Sequence, residues 1–307
     1  MSDAPTGKLR QKGKVKEVYE TDDPDVLEFR FTDQISVFDK IIPTLVPRKG
    51  ETLCRTAAHW FEKANELGFK THFISLTAGG GMKVKRVDVK PPEDLDRNST
   101  SVLIPLEFIC RHYVAGSLYD RIKKGKVNAQ DLGFPAGHDV KASEKLPRPM
   151  LEVTTKLEEV DRPLTNEEGM ELAKLSGEEF DSIMEIVLSV DKHMGEQAAS
   201  RGLIHVDGKK EFAFDEDRNI MLIDTFGTAD EDRFWDAEEY ARGKTVELSK
   251  EAVRKFYRGS GYHEELMDAR EKGLSEPPIP PLPEDFTKEV SGLYIDIYER
   301  LTGQPFR

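Results

Sequence analysis

Residues 203 to 223, LIHVDGKKEFAFDEDRNIMLI, restrict the fold of this chain more than any other stretch. A strand projects successive side chains to opposite faces, so Asp207, Lys209 and Glu211 share one face while Val206, Phe212 and Phe214 share the other. The turn composition of residues 215 to 219 then returns the chain, and the apolar run 220 to 223 pairs back as a hairpin. That places Asp224 close to Glu211 across the ladder. Two carboxylates beside a lysine suit a magnesium ion on nucleotide phosphates, because hard oxygens hold the cation while an ammonium meets the phosphate charge. An exposed hairpin with ordinary solvated charges satisfies the same spacing.

The 307 residues, 37% of them hydrophobic, are enough for two lobes with sizeable cores. A formal net charge of −13 disfavours nonspecific binding to nucleic acid or an anionic membrane. Cys54 and Cys110 are the only cysteines, with neither CxxC nor metal-spaced histidines, so a disulfide framework and a structural zinc site are not expected. A reducing cytoplasm fits that usage. The first residues, MSDAPTGKLRQKGK, lack a signal-peptide apolar core, and no run approaches membrane-span length, so neither export nor embedding is expected.

Along the chain, residues 14 to 31 read as two strands, followed by a loop from Asp33 to Asp39. From Thr52 the positions Leu53, Ala57, Trp60, Phe61 and Ala64 recur at helical spacing, with Gly68 as the stop. Residues 71 to 76 and 82 to 89 read as antiparallel strands about a glycine-rich turn. An apolar run from Leu103 to Arg111 precedes a short helix, and residues 128 to 149 look irregular, with room for a substrate loop. Thr165 with Glu168 and Ser176 with Glu179 match capping boxes, and the second helix buries Phe180, Ile183, Val187, Val190 and Met194. Residues 246 to 272 look helical. A stiff proline-rich link then leads to a last helix marked by Phe286, Val290, Leu293, Ile297 and Leu301, expected to strap back onto the body.

Six ordered segments carry a family resemblance: GKVKEVYE, TDQISVFDKIIPTLVPRKGE, IPLEFICRHYVAGS, LEVTTKLEEVD, HVDGKKEF and LIDTFGTADEDRFWD. Together they closely resemble the SAICAR synthetases, phosphoribosylaminoimidazole-succinocarboxamide synthases of purine biosynthesis. The third segment is the most specific, with Pro105, Glu107, Arg111, Gly116 and Ser117 at the family's spacing. The likeness runs from Gly13 to the terminal YIDIYERLTG.

The resemblance implies a ligase that joins the carboxylate of carboxyaminoimidazole ribonucleotide to the amine of L-aspartate, with ATP cleaved to ADP and phosphate. It implies an α+β fold: an N-terminal antiparallel β lobe (residues 1–105), a larger α/β lobe (106–245) with the ATP cleft between them, and C-terminal helices (246–307). By the same likeness Lys14 and Lys16 contact ATP phosphates and Glu107 helps hold the nucleoside. Glu211 and Asp224 resemble magnesium ligands. Lys209 lies near the transferring phosphoryl group, and Asp207 orients or deprotonates the aspartate amine. Arg111, Ser117 and Arg233 resemble the grip on the substrate's phosphate and carboxylate, where a planar guanidinium binds bidentately. Asp39, Lys156 and Asp161 match further polar positions lining the family's site.

The chain departs from the family pattern at Val160, Lys210, Ala213, Thr225 and residues 229 to 232. The carboxylate lost at Thr225 and the one gained at Asp232 are candidates for retuning metal or substrate charge, so a divergent carboxylate-amine ligase is one alternative. A non-catalytic purine-nucleotide binder is another, although it has less need of Lys209, Glu211 and Asp224 together. Asp224-Thr225-Phe226-Gly227 also looks like a kinase Asp-Phe-Gly with an insertion, but the glycine-rich loop and the His-Arg-Asp and Ala-Pro-Glu segments are missing.

Overall fold

The structure, a computed structural model, describes residues 7–158, 161–248 and 250–307. Val160 lies outside the described residues. Five strands open the chain: β1 (Leu9–Lys12), β2 (Lys16–Glu20), β3 (Val26–Phe31), β4 (Gln34–Val37) and β5 (Lys40–Leu45). Helix α1 (Lys49–Glu66) follows, then β6 (Phe73–Thr77) and β7 (Gly81–Lys85). The antiparallel sheet β1-β2-β3-β7-β6 has α1 packed on it, and β4 and β5 form a separate hairpin. The predicted loop from Asp33 to Asp39 therefore contains a strand. Its four residues, Gln-Ile-Ser-Val, are too few to show a period, and only packing of Ile35 and Val37 into the core reveals it.

The second half comprises β8 (Leu103–Tyr113), α2 (Gly116–Lys123), β9 (Lys145–Thr155), β10 (Pro163–Leu164), α3 (Asn166–Ala173), α4 (Gly177–Ala199), β11 (Leu203–Phe214), β12 (Ile220–Ile223), β13 (Arg233–Asp236) and α5 (Ala237–Ala241). The sheet runs β10-β9-β8-β11-β12, with β13 also on β11. Strand β9 begins inside the stretch expected to be irregular; Pro147 and Pro149 hid it, since proline removes a ladder donor. Both capping boxes form, closing the N-termini of α3 and α4 at about 1 kcal/mol each. The apolar stripe of α4 lies against β11, each fully buried large side chain contributing roughly 1.5–3 kcal/mol.

Three helices end the chain: α6 (Glu251–Gly259), α7 (Tyr262–Glu271) and α8 (Glu284–Thr302). The helical stretch read over residues 246 to 272 is thus two helices, broken where Gly261 adopts φ +82°. Helix α8 packs on α1, as expected of a strap. The two large sheets meet at a parallel bridge between Thr71 and Leu222: the His72 N–H donates to Leu222 O, and the Leu222 N–H to Lys70 O, both at 2.9 Å. Among the described residues no helix is long and apolar enough to cross a membrane.

One face assignment is corrected. Val206 does not share a side with Phe212 and Phe214; it packs with Tyr113, Ala115 and Trp235, whereas those phenylalanines join the main core. The register against β13 shifts between His205 and Asp207, and this bulge reverses the alternation. His205 therefore faces the core, while Asp207, Lys209 and Glu211 still project together on the opposite side.

Candidate active site

A cavity of about 780 Å³ lies where the five-stranded sheet meets the β8–β11–β12 region. Val18, Leu27 and Phe29 from β2 and β3, with Val87, Leu103 and Ile223, supply an apolar wall. Strands β2, β8, β11 and β12 put charge into the same space: Lys14 and Lys16 at one margin, Glu107 and Glu211 at the back, and Asp224 just past β12. Lys156 and Asp161 line it from the segment after β9. An apolar slot ending in lysines and carboxylates is shaped for a nucleoside phosphate.

Strands β8 and β11 place Glu107 opposite Glu211, and β12 places Ile223 opposite Glu211, so Asp224 follows at the cavity edge with φ +60°. Lys209 Nζ donates to Glu107 Oε1 at 2.7 Å and to Glu211 Oε1 at 2.9 Å, with Glu231 at 3.5 Å. Burial works against the Lys209 charge, but Glu231, Glu211 and Glu107 outweigh it and hold the ammonium well above its usual range. Burial also opposes the Glu211 charge, and Lys209 and Lys156 overcome it, bringing the carboxyl down to about 2. Glu107 moves the other way, raised by burial and by Glu211. Lys16 pairs with Asp224, and burial pushes its ammonium down to about 8. Lys156 Nζ stands 2.6 Å from Glu211 Oε2, close enough to pair by charge, yet that buried oxygen has no hydrogen bond of proper geometry. Glu211 and Asp224 line the same cavity and offer hard carboxylate oxygens of the kind a divalent cation takes.

A second cluster lies along the same face of β11. Arg111 on β8 donates to Glu152 Oε2 at 2.5 Å, to Asp207 Oδ2 at 3.0 Å and to Ser117 Oγ at 3.3 Å. Arg233 on β13 donates to both Asp207 oxygens, at 2.8 and 2.6 Å. Asp207 thus sits between two guanidiniums and holds both in place. The Arg233 guanidinium lies over the bare backbone of Gly116, where a Cβ would come within 2.5 Å of Nη2. Two guanidiniums, the side-chain type that binds planar anions by paired bonds, thus meet beside the start of α2, held by Asp207 and Glu152.

The residues singled out in the sequence therefore fall into two adjoining groups. Lys14, Lys16, Glu107, Lys156, Asp161, Glu211 and Asp224 line the cavity, with Lys209 bonded to its carboxylates; Asp207, Arg111, Ser117 and Arg233 form the second cluster beside it. Asp39 stands at the β4–β5 turn, mostly exposed, and accepts a bond from Lys14 at 2.5 Å. Sequence reasoning missed Glu152, which holds Arg111 and Arg121, and Glu231 and Asp230, which line the cavity. Glu152 lies within the segment LEVTT on a strand face shared with Thr154, a signal that was available; the loop residues gave none. Asp232 does not retune the cavity charge directly, because its side chain is wholly buried on the other face of β11.

Fold and site together define an α+β nucleotide-dependent enzyme with a cavity lined by lysines and carboxylates between two sheets. The SAICAR synthetase family description matches residues 9–269, and the chain belongs to that family. It is 52% identical to the phosphoribosylaminoimidazole-succinocarboxamide synthase of Thermoplasma acidophilum, over 97% of this chain and 99% of the relative. The enzyme of the same name from Nitrosopumilus maritimus is 32% identical over 95% and 97% of the two chains. Among solved structures, a SAICAR synthetase in complex with ADP superposes with a TM-score of 0.69 at 26% identity, covering 97% of this chain and 99% of that one. The Saccharomyces cerevisiae SAICAR-synthase shares the fold, with a TM-score of 0.74 at 24% identity over 98% and 96% of the chains.

Proposed function

We propose that this protein is an ATP-dependent ligase joining the carboxylate of carboxyaminoimidazole ribonucleotide to the amine of L-aspartate, giving SAICAR, ADP and phosphate. One observation carries the reading: lysines and carboxylates on three strands and just past a fourth converge on one cavity beside a pair of arginines. Relatives covering nearly the whole chain bear the name of this enzyme, and a related structure holds ADP.

The chemistry explains the parts. A carboxylate is a poor electrophile because its charge is delocalised, so it is activated by taking the terminal phosphoryl group of ATP; the amine then attacks the carbonyl carbon and phosphate leaves. Lys16 and Lys14 bind the phosphates, and Glu107 holds the nucleoside against the apolar wall. Glu211 and Asp224 would hold Mg2+, which supplies charge neutralisation across the phosphates. Lys209, kept cationic by its three carboxylates, faces the phosphoryl oxygens. Arg111, Ser117 and Arg233 grip the ribonucleotide's phosphate and carboxylate. Asp207 holds both guanidiniums and orients the incoming amine, and Asp39, Lys156 and Asp161 complete the polar lining. The gain comes mainly from positioning and fixed charge.

The chain division at residues 105 and 245 belongs to the same reading, with β8 starting at Leu103 near the first boundary. So do small-molecule partners without nucleic acid, and a cytoplasmic location, which two buried free thiols fit. A product assay with the imidazole ribonucleotide, ATP and a panel of amino acids tests the function. SAICAR with aspartate alone is expected; product with a different acid or amine would instead favour a divergent ligase.

A further inference from the structure

Strand β8 lies along one side of β11, but the other side is covered in two pieces. β13 pairs with Leu203 to Asp207, and β12 with Glu211 to Phe214. Residues 224–232, which join β12 to β13, therefore pass the uncovered edge at residues 208–210, where Lys209 stands. Gly208 is bare at that point, and a Cβ on it would fall 1.8 Å from Asp232 Oδ2. Asp232 Oδ1 accepts a bond from the Gly227 N–H at 2.7 Å, and His205 Nε2 donates to Oδ2 at 2.7 Å. The Asp232 and His205 side chains are both shut off from water.

The surroundings are ionic and closed. Lys210, whose side chain is wholly buried behind β11, pairs with the equally buried Asp191 of α4, and His112 Nε2 lies 3.0 Å from that carboxylate. Cys110, His112 and Asp191 bring a sulfur, a nitrogen and an oxygen within 4.8 Å of one another. The Lys210 ammonium already occupies the Asp191 carboxylate, so the group is a satisfied ion network and not an open cation site. Lys210, Asp191, His205 and Asp232 belong to this one network.

A buried carboxylate is unfavourable unless it is well partnered. What Asp232 holds is the loop. Gly227, at φ +69°, is also fixed through its carbonyl, which accepts from Trp60 Nε1 at 3.0 Å. The next three residues upstream lead back to Asp224 at the cavity.

We propose that Asp232 is a positioning residue for phosphoryl transfer: packed on the bare backbone at Gly208, it anchors the Gly227 amide, and so sets the Asp224 carboxylate over the cavity that Glu211 enters. His205 holds Asp232 from behind, and Lys210 balances the charge of Asp191 beside it. Asp232 itself touches neither nucleotide nor cation. The proposal rests on the cavity being a nucleotide–cation site, not on which acid and amine are joined.

The test is Mn2+ binding in the presence of ADP, followed by the loss of the free Mn2+ resonance, alongside kcat and KM. Asp232→Ala is expected to weaken Mn2+ in the ADP complex at least tenfold and to lower kcat comparably, with metal-free ADP affinity within twofold. Asp232→Asn retains the acceptor for Gly227 and is expected to stay within threefold of wild type. Gly208→Ala displaces the carboxylate without removing it and should resemble Asp232→Ala. A folded Asp232→Ala with Mn2+ affinity and kcat within twofold of wild type overturns the proposal. Should that variant fail to fold, a tenfold Mn2+ loss in Asp232→Asn overturns it, because charge and not the loop tie would then be responsible. Wild-type protein that binds no Mn2+ with ADP overturns both this and the proposed function; wild-type protein that binds both yet makes no SAICAR overturns the ligase reading alone.

Discussion

Lys49, in the first turn of α1, and Asp230, in the loop after β12, form an ion pair sealed from water: Nζ lies 2.9 Å from Oδ2, and the side chains are 0% and 4% exposed. Tyr294 of α8 donates to the other oxygen at 2.5 Å. Burial opposes the Asp230 charge, but Lys49 and Lys250 prevail and bring the carboxyl to about 2. One carboxylate at the cavity wall thus joins the first helix, the site loop and the last helix.

Removing only one partner strands a charge in the interior. Lys49→Met is expected to cost roughly 3–5 kcal/mol, whereas Lys49→Met with Asp230→Leu should cost less than the sum of the single changes. Urea unfolding of the two singles and the double provides the cycle. Simple additivity would contradict a direct pair.

Glu211→Gln and Asp224→Asn preserve shape while removing the proposed cation ligands. Each is expected to lower kcat by about 10²-fold or more, with circular dichroism unchanged. Near-normal rates in both would refute the assignment.

Arg111 spans Glu152, Asp207 and Ser117, so its loss empties the two-arginine cluster but not the nucleotide cavity. Arg111→Ala should raise the apparent KM for the ribonucleotide far more than that for ATP. Arg111→Lys should recover only part, because a single ammonium cannot reproduce the forked contacts. A larger change for ATP would defeat the division into two subsites.

His72 predicts an acid-side instability. It lies between Phe29 and Phe61, with ring centroids at 5.6 and 5.0 Å, and burial, helped by Lys16, pushes its imidazole down to about 3. Between the ordinary value near 6.5 and about 3, the unfolded chain binds a proton that the folded chain does not. Its effect on stability is therefore absent above that window and grows more unfavourable as pH falls through it, by up to about 1.4 kcal/mol per unit. His72→Phe should gain on wild type as pH drops from 7 to 5, read from urea midpoints. A constant difference between the two would show that His72 is not held neutral.

Much of this organisation is legible in the sequence. The β11–β12 hairpin, both capping boxes, the stripes of α1, α4 and α8, and the common projection of Asp207, Lys209 and Glu211 all follow from short-range periodicity and local hydrogen bonding. Strand β4 was hidden by its brevity, β9 by its prolines and the α6–α7 break by one glycine. The face of Val206 was misread because a bulge inserts one residue into a count of two.

The sequence by itself determined where side chains alternate, where helices start and which family pattern the chain follows, since those depend on neighbours a few residues away. Tertiary structure alone decided which charges meet: Asp232 with His205 behind the strand, Lys49 with Asp230 at the cavity wall, Glu152 with Arg111 at its corner. Electrostatic partners are selected through space and by exclusion of water, and residues 27 to 181 positions apart in the chain become neighbours only when the core closes.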